Sequence, residues 1–162
     1  MTEKKLRDSW ETPPDFWEWV DGIFHFNLDA CATYHNRKCE HHCSYVNETY
    51  NGLTSEWGRI ASSVWVNPGY SNITPWLEKA YQETQEHENM TACVLIHSAY
   101  GTRWFKKYFS LAYEVWLLNP RIQFIAPKGI KQTSNPRDSM LFIFKKMTYP
   151  QVSTPLRFKG WK

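Results

Sequence analysis

The chain has 162 residues, close to the length of one ordinary domain. Apolar residues make up 42% and aromatic residues 17% of it, which is enough for a core and excludes a disordered chain. No apolar run approaches the roughly 18 residues that span a bilayer, and the first residues lack the apolar stretch of a signal peptide. We therefore expect a single cytoplasmic domain, 1–162, whose four cysteines are thiols.

Charge is divided unevenly along the chain. Residues 1–90 hold 7 Lys and Arg against 14 Asp and Glu, whereas residues 91–162 hold 12 against 2. A basic half of this kind fits a phosphate-binding face, and chance clustering on a surface is the simpler alternative.

The first predicted element is a helix. Thr12 is a good N-cap, Pro13 suits the first helical position and Gly22 suits the helix end. The short apolar run from Ile23 to Leu28 then predicts a strand that ends at Asp29. Residues 33–60 are polar and irregular, and the sequence predicts no element there.

The rest of the chain alternates between strands and helices. Apolar runs predict strands at 64–66, 92–96, 115–118, 122–125 and 140–144. An amphipathic helix capped by Thr74 and Pro75 follows the first of these, with Glu83 among the residues facing water. A second amphipathic helix carries Trp104, Tyr108 and their neighbours. This order predicts an α/β fold with a mostly parallel sheet, closed by an antiparallel pair of strands around a basic loop, 126–138.

Two segments follow predicted strands, at the edge where an open parallel sheet binds its ligands. They are Asp29-Ala-Cys-Ala32 and Asn67-Pro-Gly-Tyr-Ser71. Because Pro68 cannot continue the ladder, its carbonyl can point outward beside the Asn67 side-chain oxygen. Two acceptors beside the flat ring of Tyr70 suit an exocyclic amine on a planar heterocycle, such as N6 of adenine. The alternative is a plain turn, since Asn, Pro and Gly all favour turns.

Together with other stretches in the same order, these segments resemble the bacteriophage DNA adenine-N6 methyltransferase family. The matching stretches are Asp8-Ser-Trp-Glu-Thr-Pro-Pro14, Leu28-Asp-Ala-Cys-Ala32, Trp65-Val-Asn-Pro-Gly-Tyr-Ser71, Ile73-Thr-Pro-Trp-Leu-Glu-Lys-Ala80, Thr102-Arg-Trp-Phe105, Arg121-Ile-Gln-Phe124 and Ser139-Met-Leu-Phe-Ile-Phe144. The resemblance implies a reduced Rossmann-like fold with its core at roughly 8–146 and a basic tail at 147–162.

The resemblance also implies the reaction: S-adenosylmethionine would be the methyl donor, adenine N6 in double-stranded DNA the acceptor, and no metal would be needed. Asn67 and the Pro68 carbonyl would hold N6, and Tyr70 would stack on the extruded base. Two acceptors on the N6 hydrogens would localise the nitrogen lone pair in line with the donor's methyl carbon. Positioning and electrostatics would then suffice for direct transfer.

Donor and DNA contacts follow from the same resemblance and from the charge distribution. Asp29, Ala30, Cys31 and Asn67 would contact the donor, with Asp29 at its methionine part. Trp10, Thr12 and Pro13 would close over the donor from the N-terminal side. For the DNA phosphates, the candidates are Lys128, Lys131 and Arg137, followed by Arg103 and Lys106.

Two departures from the family pattern keep alternatives open. The family's usual Asn-Pro-Pro-Tyr has proline where this chain has Gly69, and no Gly-x-Gly loop follows the first strand. A looser loop at Gly69 is compatible with a relative that binds nucleic acid without catalysis. A donor-dependent enzyme with another amine acceptor, an RNA adenine or a protein glutamine, is the second alternative.

The cysteines permit two further interpretations. Cys39, His41, His42 and Cys43 are zinc-ligand types, but their spacing is not that of a recognised finger, so buried thiols and solvated histidines are favoured. Cys31 lacks the preceding proline of cytosine-C5 methyltransferases and is a poor candidate for a nucleophile.

Overall fold

The computed structural model describes residues 10–32, 34–44, 51–148 and 153–162. Its elements in chain order are α1 Pro14–Phe24, β1 Leu28–Ala32, β2 His41–Ser44, a 3-10 turn Trp57–Arg59, β3 Ser63–Val66, α2 Thr74–Glu86, β4 Thr91–His97, α3 Arg103–Leu111, β5 Glu114–Asn119, β6 Ser139–Lys145 and β7 Leu156–Gly160. Among the described residues, no helix combines the length and the apolar character needed to cross a bilayer.

The strands form one sheet in the order β2-β1-β3-β4-β6-β5-β7. β6 runs antiparallel to its neighbours β4 and β5, and the other neighbouring pairs are parallel. The chain moves from β1 outward to β2 and then returns past β1 to β3. The strand order therefore reverses between β1 and β3, which opens a crevice beyond their carboxyl ends.

Both faces of the sheet are covered, because apolar side chains point alternately to each side along the central strands. In β3, Val64 and Val66 pack with α2 and α3, whereas Trp65 packs with α1. The residues of β4 and β6 alternate in the same way. The resulting helix–sheet–helix layers confirm the α/β class and explain why the central strands are continuous apolar runs.

Four of the predicted strands form, at 64–66, 92–96, 115–118 and 140–144, and each gains at most one residue at either end. Both amphipathic helices also form. The prediction that Thr74 caps the first of them is wrong, because Ile73 occupies the N-cap position and no side chain caps the helix. The prediction that Glu83 faces water is wrong, because Glu83 is only 2% exposed. The 3-10 turn covers this part of α2, and the Glu83 carboxylate accepts the backbone N–H of Gly58 at 3.1 Å and pairs with Lys79.

The beginning of the fold differs from the prediction. The helix starts at Pro14, after Pro13 at the N-cap position, and no side chain caps it, so Thr12 is not the cap. The predicted strand from Ile23 to Leu28 is also wrong, because α1 continues to Phe24. His25 then takes a left-handed conformation, with φ of 50°, and β1 begins only at Leu28.

The predicted strand at 122–125 does not form, because both edges of β6 are occupied by β4 and β5. The closing antiparallel pair is therefore replaced by the insertion of β6 between those two strands. Ile122 and Phe124 pack into the core beside α1, and Ile125 makes a single antiparallel bridge to Glu11. Within the predicted basic tail, β7 pairs parallel to β5 and extends the sheet.

Gly52 lets the segment after β2 approach β1 closely. A Cβ at this position would lie 1.9 Å from the Ala30 carbonyl oxygen, and the Trp57 indole N–H donates to the Gly52 carbonyl at 2.7 Å. Gly22, on the exposed side of α1, has no atom within 4 Å of the equivalent position.

The same substitution at these two glycines should have opposite effects on stability. We expect Gly52→Ala to destabilise the protein by about 1–3 kcal/mol, because the backbone of β1 must shift. Gly22→Ala should stabilise it by about 0.5–1 kcal/mol, because alanine loses less backbone entropy in a helix. Thermal unfolding of both variants measures this, and an unchanged midpoint for Gly52→Ala would contradict the close approach.

Candidate active site

A cavity of about 220 Å³ lies beyond the ends of β1 and β3, where the strand order reverses. Five residues chosen from the sequence line it together: Trp10, Thr12, Asp29, Cys31 and Asn67. Their convergence from three separate segments is a tertiary effect, since Trp10 and Asn67 are far apart along the chain. Pro13, Ala30 and Pro68 are buried and do not line the cavity.

Several lining residues were not foreseen in the sequence. They are Asn36, Lys38, Leu53, Ser71, Asn72 and Trp76, and the wall is completed by Glu11, Trp65 and Gly69. The first three lie in the stretch 33–60, whose polar character predicted no element. Their only sequence signal is position, because a loop that follows β1 must lie at the ligand-binding edge.

Asn67 is held by a side chain from the N-terminal segment. Its amide nitrogen Nδ2 donates a hydrogen bond of 3.0 Å to Thr12 Oγ1. This bond orients the amide and leaves its oxygen available as an acceptor. The Thr12 hydroxyl thus contributes to the site instead of capping α1.

The N-terminal segment is itself held in place by residues 122–125, which do not form the predicted strand. The Glu11 N–H donates to the Ile125 carbonyl at 3.0 Å, and the Ile125 N–H donates to the Glu11 carbonyl at 2.9 Å. These two bonds place Trp10, Glu11 and Thr12 along the cavity wall.

Asp29 is a buried carboxyl group in the wall of the cavity. It is 3% exposed, and its carboxylate accepts backbone N–H groups from Lys38 at 3.0 Å and from Cys31 at 3.3 Å. Burial raises its pKa to about 6, although these hydrogen bonds and the Lys38 charge act in the opposite direction. A cationic ligand beside Asp29 would offset this desolvation.

Tyr70 is half-buried behind the Asn67 loop and is not part of the cavity wall. Its ring centroid lies 5.0 Å from that of His97 and 6.0 Å from that of Phe124. Burial of its hydroxyl raises the pKa of Tyr70 well above its ordinary value. The phenol is therefore protonated throughout the physiological range.

The cysteines and histidines of residues 39–43 do not converge. Cys43 packs in the core on the α2 side of the sheet, whereas Cys39 packs on the α1 side. Burial raises the pKa of the Cys39 thiol to about 12. None of the four cysteines forms a disulfide, and within the described ranges no three His, Cys, Asp or Glu side chains are placed to bind a metal.

The candidate DNA contacts lie on exposed surface near the cavity edge. Lys128, Lys131 and Arg137 are exposed in the loop before β6, and this loop lies at the cavity edge because β6 is antiparallel. Arg103 and Lys106 are exposed on α3, which begins beyond the end of β4. Sequence reasoning missed Lys38, which lines the cavity, and the neighbouring Arg37. Arg37 lies between β1 and β2, with its guanidinium 4.3 Å from the centroid of the exposed Tyr34 ring.

This sheet, with a polar cavity at its reversal point, defines a reduced Rossmann-like protein, as predicted. The family model for DNA N-6-adenine-methyltransferases (Dam) matches residues 1–158. The DNA N-6-adenine-methyltransferase of Haemophilus phage HP1 is 33% identical over 149 residues, which cover 89% of this chain and 82% of the relative. That of Escherichia phage T1 is 29% identical over 168 residues, covering 93% and 68%. The chain belongs to the DNA N-6-adenine-methyltransferase family, a family of enzymes.

The buried carboxyl of Asp29 should make stability depend on pH. Its pKa of about 6 in the folded protein exceeds the value of 3.8 expected in the unfolded chain, so the folded state binds this proton more tightly. Below about pH 4 this proton stabilises the folded state by on the order of 3 kcal/mol. The stabilisation is lost as pH rises through about 6.

Asp29→Asn removes this ionisation while keeping the side-chain shape. We expect the free energy of unfolding of the wild type to fall between about pH 4 and 7 relative to that of the variant. Urea unfolding across this range measures the difference. Parallel pH profiles for the two proteins would contradict the raised pKa.

Proposed function

We propose that this protein transfers a methyl group from S-adenosylmethionine to N6 of adenine in double-stranded DNA, at the cavity between β1 and β3. The observation that carries the proposal is Asn67, whose amide is oriented by Thr12 in the same cavity as the buried carboxyl of Asp29. Membership of the DNA N-6-adenine-methyltransferase family supports this reaction.

The residues of the cavity fit the proposed donor. S-adenosylmethionine would supply an activated methyl group on a sulfonium, and it also carries an ammonium group and a flat purine. Asp29 provides a buried carboxyl suited to the positive charge of the methionine part. Leu53, Trp65 and Trp76 provide apolar wall. Trp10 and Thr12 close the cavity from the N-terminal segment.

On the acceptor side, the Asn67 amide oxygen and the Pro68 carbonyl would each accept one N6 hydrogen. Both acceptors are neutral, so they hold the amine without protonating it. They bias the nitrogen toward tetrahedral geometry and make its lone pair available for attack. As the bond from N6 to the methyl carbon forms, the bond from that carbon to sulfur would break and leave a neutral thioether, and the methylated N6 would lose one proton to solvent. Fixed acceptors need no reorganisation during the reaction, which is where their catalytic contribution arises. Tyr70 would stack on the base once it has left the duplex, a step that costs a few kcal/mol.

The backbone at Gly69 favours an enzyme over a degenerate binding protein. Among the residues that the structure describes, Gly129 is the glycine with a positive φ, so Gly69 does not have one. Gly69 therefore has a backbone conformation that other residues also adopt, and the loop does not depend on glycine. Glycine in place of the family's proline leaves both proposed acceptors in the chain.

The proposed DNA surface combines the loop 126–138 with the start of α3. Exposed Lys and Arg side chains beside a cavity suit a polyanion and disfavour a protein glutamine as acceptor. The relatives named above are encoded by phages. We propose that the protein acts on DNA in the cytoplasm of a bacterial host.

The reaction is tested by incubating the protein with labelled S-adenosylmethionine and unmethylated DNA, followed by digestion to nucleosides. We expect the label in N6-methyl-2′-deoxyadenosine. Asn67→Ala should lower kcat by about 10²- to 10³-fold, because it removes an acceptor that acts on the developing charge.

Asn67→Asp is the matched variant, since it keeps an acceptor oxygen and should retain more activity than Asn67→Ala. DNA affinity and thermal unfolding should be similar in all three proteins. Label found only in RNA or in protein would refute the proposed acceptor. Wild-type turnover by Asn67→Ala would refute the proposed pocket.

Phosphate contacts by the basic loop should appear in the salt dependence of DNA binding. Replacing Lys128, Lys131 and Arg137 together by alanine should reduce the slope of log K against log salt by roughly 1 per side chain. Arg59→Ala is the control, because Arg59 precedes β3 at the opposite edge and pairs with Glu56 at 2.6 Å. Equal slopes for the wild type and the triple variant would show that the loop does not contact phosphates.

A further inference from the structure

Three buried polar groups meet behind the Asn67 loop. The Tyr70 hydroxyl, Nδ1 of His97 and the Ser139 hydroxyl are all buried and make no hydrogen bond to the described residues. His97 ends β4 and Ser139 begins β6, and the two residues are directly paired in the sheet. The Tyr70 ring lies 5.0 Å from the His97 ring, so all three groups belong to one cluster.

Donors and acceptors in this cluster are complementary. Burial, with a smaller contribution from the charge of Arg137, lowers the pKa of His97 below its usual 6.5, so the imidazole is neutral at pH 7 and one ring nitrogen can accept. Burial keeps the Tyr70 phenol protonated, and the nearby Ser139 hydroxyl opposes part of that rise in pKa. Two aromatic rings border the cluster: the Trp104 ring centroid lies 6.4 Å from that of His97, and the Phe124 ring centroid lies 6.0 Å from that of Tyr70.

A buried polar group without a hydrogen bond is costly, and such groups in folded proteins call for an explanation. Tyr70 follows Asn67 by three residues, so the cluster lies beside the loop through which the target base would enter. A small rotation of the Tyr70 side chain would let its hydroxyl donate to His97 Nδ1 and receive a hydrogen bond from Ser139. The same rotation would set the angle of the Tyr70 ring.

We propose that His97 and Ser139 are positioning residues that fix the Tyr70 ring against the extruded adenine. The inference rests on the proposed function, in which Tyr70 stacks on the base. In the free protein none of the three meets the geometry of a hydrogen bond, although the Ser139 hydroxyl is close enough to that of Tyr70 to act on its pKa. Entry of the base turns the ring, the Tyr70 hydroxyl pairs with His97 and Ser139, and the hydrogen bonds then hold the stacked arrangement for transfer.

The test is a double-mutant cycle on methylation of adenine in DNA. Tyr70→Phe and His97→Leu should each lower kcat by about three- to tenfold, the range expected for one hydrogen bond. The kcat of the double variant should be no lower than that of the less active single variant, because both changes remove the same interaction. His97→Asn should largely restore kcat, since the asparagine oxygen can take the place of Nδ1.

Donor affinity should be unchanged in all of these variants, as a role confined to Tyr70 requires. His87→Leu is the matched control, because Nε2 of His87 is also buried without a hydrogen bond, but it lies 3.6 Å from a Glu83 oxygen at the end of α2, at the opposite edge of the sheet. It should leave kcat unchanged. If His97→Leu does not fold, Tyr70→Phe and Ser139→Ala form an equivalent cycle that removes only hydroxyl groups.

Losses that multiply in the double variant, wild-type kcat for His97→Leu, or a parallel loss of donor affinity would each overturn the positioning role. These outcomes differ from a failure of the proposed function. In that case the wild type would place no label in N6-methyl-2′-deoxyadenosine at all.

Discussion

The parallel pairing of β1 with β3 is the constraint on which the site depends. It sets Asp29 beside Trp65, so that the buried carboxyl and Asn67, two residues beyond Trp65, reach the same edge of the sheet. The chain leaves β1 on one side and enters β3 on the other, so the two connections diverge and leave a cavity. Every candidate role for Asp29 and Asn67 follows from this one reversal.

A continuous set of contacts joins the proposed DNA surface to Asn67. Within the basic loop, the Gln132 amide donates to the Phe124 carbonyl at 2.7 Å and accepts the Ala126 N–H at 2.9 Å. Ile125, between them, pairs with Glu11, and Thr12 then accepts from Asn67. Residues 122–125, which are excluded from the sheet, thus support residues 10–12, which border the cavity.

The division of charge along the chain has a structural counterpart. The cavity is built from residues of the acidic half, between Trp10 and Trp76, whereas the candidate phosphate contacts belong to the basic half. The sheet order brings the halves together, since β3 pairs with β4 and β4 pairs with β6. A cationic donor and an anionic duplex can then approach one site from regions of opposite charge.

The sequence by itself determined the elements whose signal is local. Continuous apolar runs specified β3, β4, β5 and β6, amphipathic spacing specified α2 and α3, and the Asn-Pro-Gly-Tyr motif marked the strand end where the cavity lies. The sequence did not predict β2 or β7. β2 lies in a polar stretch and β7 is a largely exposed edge strand, so neither carries the pattern of a buried strand.

Tertiary structure alone decided the features that depend on distant partners. The Thr12 hydroxyl could have capped α1, but Asn67, 55 residues away, donates to it. Residues 122–125 have the composition of a strand, yet β4 and β5 already occupy both edges of β6. Glu83 lies on a polar helix face that the 3-10 turn then covers. Local patterns encode backbone preference, whereas a free strand edge, a covering segment or a hydrogen-bond partner exists only once the rest of the chain has packed.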